Sequence, residues 1–511
     1  MNFSKDYFKY HIVLLAVISY LIWGTGIYTD DYALLNYYSN KAWYIEGWSN
    51  NYLSLIPWWV IKSPVYIFGD ASGFLFDIAK ICIVYATIIC LCLALRVFIE
   101  QWPARILSIF IILYPTHDST VYWYNGQYFN YGILLVSLAF YLQEKRKYVL
   151  SVPVNTLGAF FSYASPPLGF GFIAVYCYQK KWLSALIFGI PHLLYFLYYL
   201  GLKVFFEAPA SKLKTVTAID YLQTLTLQLA TLLDSQIGIS FLLKIVYSIS
   251  SNSLYVFIPV IMLLYFSSKQ LKKIRVGPVY SPELFVLLIS ITVSALVMFA
   301  LTGDFYYQVN FNLGNRVTFY ASFLFAFLLL SLVWNTKYLV LYAGIIILSI
   351  TGISNHYKEW NQLQVSAINN MSNHDGLQKA ENNSILLIKG NLYSKLGPFS
   401  HLEFITWNSS RDIFGELYGD KFKAIIPLTS RLVVDDVAIH DKKYDISVMF
   451  DRHIYIYDIE TNLLISLNAN EIPPYIKATP MEIRHWIQAV SIGPLKKLIL
   501  KMAPRLEYLF V

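Results

Sequence analysis

The strongest constraint on this chain is the succession of apolar runs in its first two thirds. A membrane-crossing helix needs about 20 apolar residues, because the hydrocarbon core is about 30 Å thick and a helix rises 1.5 Å per residue. Eleven candidate runs occur, with limits near 11–28, 74–95, 105–116, 128–143, 148–164, 166–179, 183–204, 250–267, 283–302, 317–334 and 338–354. The third and sixth are short. Hydrophobic residues make up 57% of the chain and charged ones only 14%, where a soluble domain carries about 25% charged residues. The sequence therefore predicts an α-helical polytopic membrane protein with about eleven transmembrane helices.

Charge in the loops supplies an independent test of that order. With the N-terminus (Lys5, Lys9) on the cytoplasmic side, the basic residues Arg96, Arg105, Lys145, Arg146, Lys147, Lys180, Lys181, Lys269, Lys272, Lys273, Arg275 and Lys337 all fall in cytoplasmic turns. The opposite side carries Asp30, Asp31, Glu46, Asp70, His117, Asp118, Glu207, Asp220, Asp234 and Asp304. This asymmetry is the positive-inside pattern. It explains the net charge of +8 without nucleic acid as a partner. The first run has no small-residue cleavage site and reads as a signal anchor. The long exterior loops are 29–73, 205–249 and 303–316. Leu53–Val60 in the first reads as an interfacial helix, and Tyr221–Leu233 in the second as an amphipathic one.

From about residue 355 the composition turns polar, and short apolar runs alternate with turns. His453-Ile454-Tyr455-Ile456-Tyr457 shows the period-two alternation of a strand. Residues 1–354 thus read as a transmembrane domain and 355–511 as a small exterior α+β domain, strand-rich and ending in a basic helix from Met481 onward. Its lack of cysteine means that no disulfide framework holds it. Cys82, Cys90, Cys92 and Cys177 all lie in the apolar runs, without metal-ligand spacing.

The chemistry centres on Tyr28-Thr29-Asp30-Asp31-Tyr32, directly after the first run. Carboxylates are costly in lipid and cheap in a hydrated cleft. Such a pair can act as a base or can ligate a divalent cation, Mg²⁺ or Mn²⁺; the plain alternative is a helix end marking the water boundary. Adjacent side chains point in different directions, so one aspartate is expected to face a cleft and the other a structural partner. Glu46 could join as a further ligand. In the block Tyr122–Tyr131, Trp123 offers a stacking face, Asn125, Gln127 and Asn130 offer amides for sugar hydroxyls, and Gly126 permits close approach. His117 and Asp118 form a candidate base pair in the same turn. Asp304 and Arg316 flank the start of the tenth run, where an arginine suits a phosphate or, equally, a snorkelling anchor. No phosphate-binding loop, dinucleotide fingerprint or zinc motif occurs.

The acidic pair with its aromatic tail Asn40-Lys41-Ala42-Trp43-Tyr44 is similar to the first-loop motif of the polytopic GT-C glycosyltransferases. Trp123–Tyr131 resembles the Trp-x-x-Gly-x-x-x-x-Tyr block of bacterial GT-C-like proteins related to O-antigen glucosyltransferases. The resemblance covers roughly 20–355 and none of the C-terminal domain. It implies an inverting hexosyltransferase of the bacterial inner membrane, with the C-terminal domain periplasmic. The donor would be a polyprenyl-phosphate sugar and the acceptor a glycan or a lipid-linked molecule. Asp31, with Asp30, would be catalytic, and Arg316 would hold the phosphate. An O-antigen polymerase or ligase, and a flippase for a lipid-linked sugar, are the rival readings.

Overall fold

The computed structural model describes residues 5–33, 73–161, 165–206, 217–271, 280–301, 311, 313–334, 338–390, 392–435, 437–441, 446–489, 493–502, 504 and 507. The protein is mostly helical, with a small sheet region near its C-terminus. Among the described residues four helical stretches are long and apolar enough to cross a membrane: Gly73–Leu95, Ala218–Ser250, Pro282–Leu301 and Tyr338–Ser372. Six further apolar helices, such as Gln101–Ile112 and Pro166–Tyr178, are shorter. A 12-residue helix rises only about 18 Å, well below the hydrocarbon thickness.

Two departures from the expected layout matter. The stretch 205–249, read as an exterior loop, contains the helices Ala218–Ile237 and Ile239–Ser250, broken at Gly238. The first is capped by Thr217, whose hydroxyl accepts from the Asp220 N–H, the usual device for an orphan helical donor. The last apolar run continues as one helix through residue 372, so position 355 lies inside it. The run 338–354 is apolar, whereas the extension carries Lys358, Asn361 and Gln364.

The sheet region has a four-stranded mixed sheet in the order β4-β1-β8-β9. Its strands are β1 (Ser384–Lys389), β4 (Phe422–Pro427), β8 (Ile454–Asp458) and β9 (Leu463–Leu467). β1 runs parallel to both β4 and β8, and its unbroken Ile385-Leu386-Leu387-Ile388 run is buried throughout, as a central parallel strand requires. Period two splits that run. Leu386 and Ile388 join the large core that continues into the helical body, while Ile385 and Leu387 join a separate cluster with Ile426, Leu428 and Ile456. The hairpin β2 (Tyr393–Leu396) and β3 (Phe399–Glu403) connects β1 to the helix Trp407–Tyr418. A three-stranded antiparallel sheet, β5 (Leu432–Val434), β6 (Ala438–Asp441) and β7 (Ile446–Met449), completes the region.

Candidate functional site

The site starts at the turn that follows the first helix, Lys5–Ile22. Gly24 and Gly26 have φ of 85° and 65°, the left-handed region that glycine enters without strain. A Cβ on Gly26 would also fall onto the Asn361 side chain. A buried ion pair in the 73–95 helix holds the turn: Asp77 Oδ1 lies 2.9 Å from Lys80 Nζ. Asp77 accepts the Gly24 and Gly26 N–H groups at 2.7 and 3.0 Å. Lys80 donates to the Thr25 hydroxyl (2.7 Å), the Gly26 carbonyl (2.6 Å) and the Tyr122 carbonyl (3.0 Å). The polar extension of the 338–372 helix grips the other side. Asn361 donates to the Gly24 carbonyl and Gln364 to the Ile27 carbonyl, and Tyr28 donates to the Tyr357 carbonyl at 2.8 Å.

On this support the two aspartates part. Asp30 is exposed and Asp31 is fully buried. Asp31 Oδ2 accepts the Tyr28 N–H at 3.0 Å, and Oδ1 accepts the Asn125 N–H at 2.8 Å. Burial pushes the Asp31 carboxyl up to about 7, although both N–H bonds and the Lys80 ammonium pull it down. The aspartate thus ties the first-loop motif to the Tyr122–Tyr131 block. Trp123 adds a second tie through its indole N–H, which donates to the Tyr28 carbonyl at 3.2 Å. The Arg316 guanidinium lies over the Trp123 ring at 5.0 Å, and its Nε donates to the Tyr128 hydroxyl at 3.1 Å. Three blocks far apart in sequence therefore meet at one place.

The remaining candidates of the second block are scaffolding in this conformation. Gly126 is needed for backbone approach, since a Cβ there would lie 2.7 Å from the Ser119 carbonyl oxygen. The Gln127 amide donates to the Thr120 and Val121 carbonyls at 2.9 and 3.0 Å. The Asn130 amide donates to Thr120 O and Gln127 Oε1. Both side chains are fully buried, so neither presents a donor to a sugar. The side chain of Asn125 is half-buried.

His117 and Asp118, expected to pair, serve different partners. The His117 nitrogens contact Thr120 Oγ1 and the Ile111 carbonyl, each at 3.0 Å, and burial lowers its imidazole to about 4. Asp118 instead anchors a buried cluster that joins the helical body to the sheet region. Its Oδ1 lies 3.1 Å from Lys244 Nζ and its Oδ2 lies 2.8 Å from His401 Nε2 in β3. Lys244 Nζ also lies 2.8 Å from His401 Nε2, and Asn315 donates to Asp118 Oδ1. Burial raises the Asp118 carboxyl, but Lys244 and His401 more than offset this and hold it well below the usual carboxylate range. Burial first, and the Lys244 ammonium second, bring the His401 imidazole down to about 4, so it is neutral near pH 7.

Asp77, Lys80, Lys244 and His401 were not among the sequence candidates. The first two carried a signal, an i,i+3 acid–base pair inside an apolar helix; the other two meet only through tertiary contact. Glu46, Asp304 and the Leu53–Val60 run lie outside the described residues. Among the described residues no three His, Cys, Asp or Glu side chains are grouped to hold a metal ion. Both oxygens of Asp31 accept backbone N–H groups, so each already has a protein donor.

What the fold defines is a mostly helical protein with membrane-length apolar helices and a small C-terminal sheet region. Comparison with protein-family models, with curated proteins and with solved structures finds no match to this chain.

Proposed function

We propose that the protein is a membrane glycosyltransferase that moves a sugar from a polyprenyl-phosphate donor to a glycan or lipid-linked acceptor on the non-cytoplasmic side. The observation that carries this reading is the convergence of Asp31, Trp123 and Arg316 at one place, with Asp30 next in the chain. Transfer needs a base at the acceptor hydroxyl and a cation at the departing phosphate, roles that Asp30 and Arg316 would fill. Asp30, the solvent-facing member of the pair, takes the acceptor O–H proton. The acceptor oxygen forms its bond to the anomeric carbon as the bond from that carbon to the phosphate oxygen breaks. The phosphate leaves with the electron pair, and Arg316 neutralises its charge. Displacement of this kind inverts the anomeric carbon. Asp31, behind, is a positioning residue that fixes Tyr28 and Asn125.

In the same proposal the 218–237 helix lies along the outer interface. Three contacts tie the 218–250 stretch to the rest of the fold. Tyr221 reaches the Val297 carbonyl near the end of the 282–301 helix, Trp486 donates to Asp234, and Lys244 pairs with Asp118. The buried Asp77–Lys80 pair does not favour a transporter, because both groups are bonded to the backbone of the 24–26 turn.

The test is sugar transfer in reconstituted vesicles supplied with a polyprenyl-phosphate sugar. D30N is expected to abolish transfer, and D31N to lower both transfer and stability. Full transfer by D30N together with none by D31N would reverse the two roles. Unimpaired transfer in both variants would reject the site.

A further inference from the structure

The last described helix, Gly493–Met502, contains Leu495, Lys496, Lys497, Leu498, Ile499, Leu500, Lys501 and Met502, and none of its residues is buried. Leu498 and Met502 are 55% and 78% exposed, too much for side chains of a packed amphipathic helix. At 3.6 residues per turn, Leu495, Leu498, Ile499 and Met502 share one face. Lys497 and Lys501, also four apart, form a parallel stripe beside it. An apolar stripe bordered by lysines is the composition of a helix lying in a membrane interface, where the lysine stems snorkel toward headgroups.

The helix also begins in the right place. The segment before it is fastened to the helical body: the Trp486 indole N–H donates to Asp234 Oδ2 at 3.2 Å, and His485 Nε2 lies 3.5 Å from the same oxygen. Asp234 in turn accepts from Ser240 at the break between the 218–237 and 239–250 helices. Those helices show exposed Ile237, Ile239, Leu242 and Val246 to the outside. The segment that precedes the basic helix is therefore fastened beside an apolar, lipid-suited surface.

We propose that Gly493–Met502 is an anionic-lipid-binding helix. Its Leu498–Met502 stripe enters the interfacial layer of the bilayer, and Lys497 and Lys501 pair with phospholipid phosphates. The shared occupant of both stripes is an acidic phospholipid, since an apolar protein partner would leave the lysine stripe unmatched. The inference is independent of sugar transfer.

The test places a photo-crosslinking amino acid at position 498 of the full-length protein, in nanodiscs that mix phosphatidylcholine with phosphatidylglycerol, and identifies adducts by mass spectrometry. Position 498 is exposed, so the substitution leaves the fold intact; Thr461, exposed in the sheet region, is the negative control. The expected result is a lipid adduct at 498, and not at 461, that favours phosphatidylglycerol over its share of the lipid, with the preference lost in K497E/K501E. Adducts confined to protein, from a second copy or from the chain itself, overturn the proposal. So do lipid adducts in the ratio of the lipids supplied.

Discussion

Replacing Lys244 by methionine tests how the sheet region is held to the helices. The ammonium lies 3.1 Å from Asp118 Oδ1, and both side chains are almost wholly buried. At an effective dielectric constant near 20 the Coulomb attraction at that distance is about 5 kcal/mol. Removing one partner of a buried pair typically costs about 3–5 kcal/mol, because the other charge stays desolvated. Asp118 does keep two partners, Asn315 and His401. With Lys244 gone, the group that most opposes His401 protonation after burial is removed, and the imidazole can take up a proton beside the Asp118 carboxylate.

The groups facing His401 are Asp118, Lys244, His356 at a ring distance of 5.1 Å and Tyr357 at 5.6 Å. In the native protein the imidazole lies at about 4, below its ordinary 6.5. Its contribution is therefore complete above 6.5 and lost as pH falls toward 4. In K244M the Lys244 opposition is gone while burial remains, so the folded value moves up from about 4 toward the ordinary 6.5 and less stability is lost as pH falls. The loss in K244M should therefore be about 3–5 kcal/mol near pH 8 and markedly smaller near pH 5.5. Hydrogen exchange at the β3 amides of the full-length protein reads this as a drop in local opening free energy. The double variant D118N/K244M, which removes both charges, should recover most of it, because a neutral buried site avoids the unpaired charge. A loss below about 1 kcal/mol, or equal losses at the two pH values, would refute the reasoning.

Gly26→Ala should destabilise by about 1–3 kcal/mol, since alanine meets both a φ of 65° and the Asn361 side chain; an unchanged thermal midpoint would contradict the strain. Asp31 gives a pH signature of opposite sense to native His401. Its folded value of about 7 is raised above the ordinary 3.8, so stability is greatest below about 4, falls as pH rises through 7 and is flat above. Three units of difference correspond to at most about 4 kcal/mol. D31N should abolish that slope in melting curves taken across this range, and a native-like slope in the variant would show that another group is responsible.

Much of the helical body was legible from sequence, because a helix in an apolar medium must satisfy its own backbone and so leaves long apolar runs. β8 was legible for a comparable reason: Ile454-Tyr455-Ile456 follows period-two alternation. The 218–250 stretch was read too loosely. The Tyr221–Leu233 part was read as an amphipathic helix in an exterior loop, and its polar Thr224, Gln228 and Thr231, with Gln236 beyond, are buried. The count of membrane-length helices suffered from the opposite problem, since apolar composition alone does not reveal where a helix stops.

For the site, the residue types and their spacing were enough to nominate Asp30, Asp31, Trp123 and Arg316, because chemistry needs particular side chains wherever they fall. That adjacent aspartates would face apart also followed from local geometry. Which one is buried did not follow, for burial depends on what arrives from elsewhere: Asn125 from the second block, Lys80 from the 73–95 helix and Tyr357 from the 338–372 helix. The same holds for Gln127 and Asn130, whose amides are as suited to sugars as to carbonyls until the Thr120 and Val121 carbonyls are brought beside them. Sequence alone determined the membrane-like composition, the strand-rich character of the C-terminal region and the first acidic pair, all of which rest on short-range pattern. Tertiary structure decided the partition of Asp30 from Asp31 and the Asp118–Lys244–His401 junction, because a desolvated charge selects partners by distance in space and not by separation along the chain.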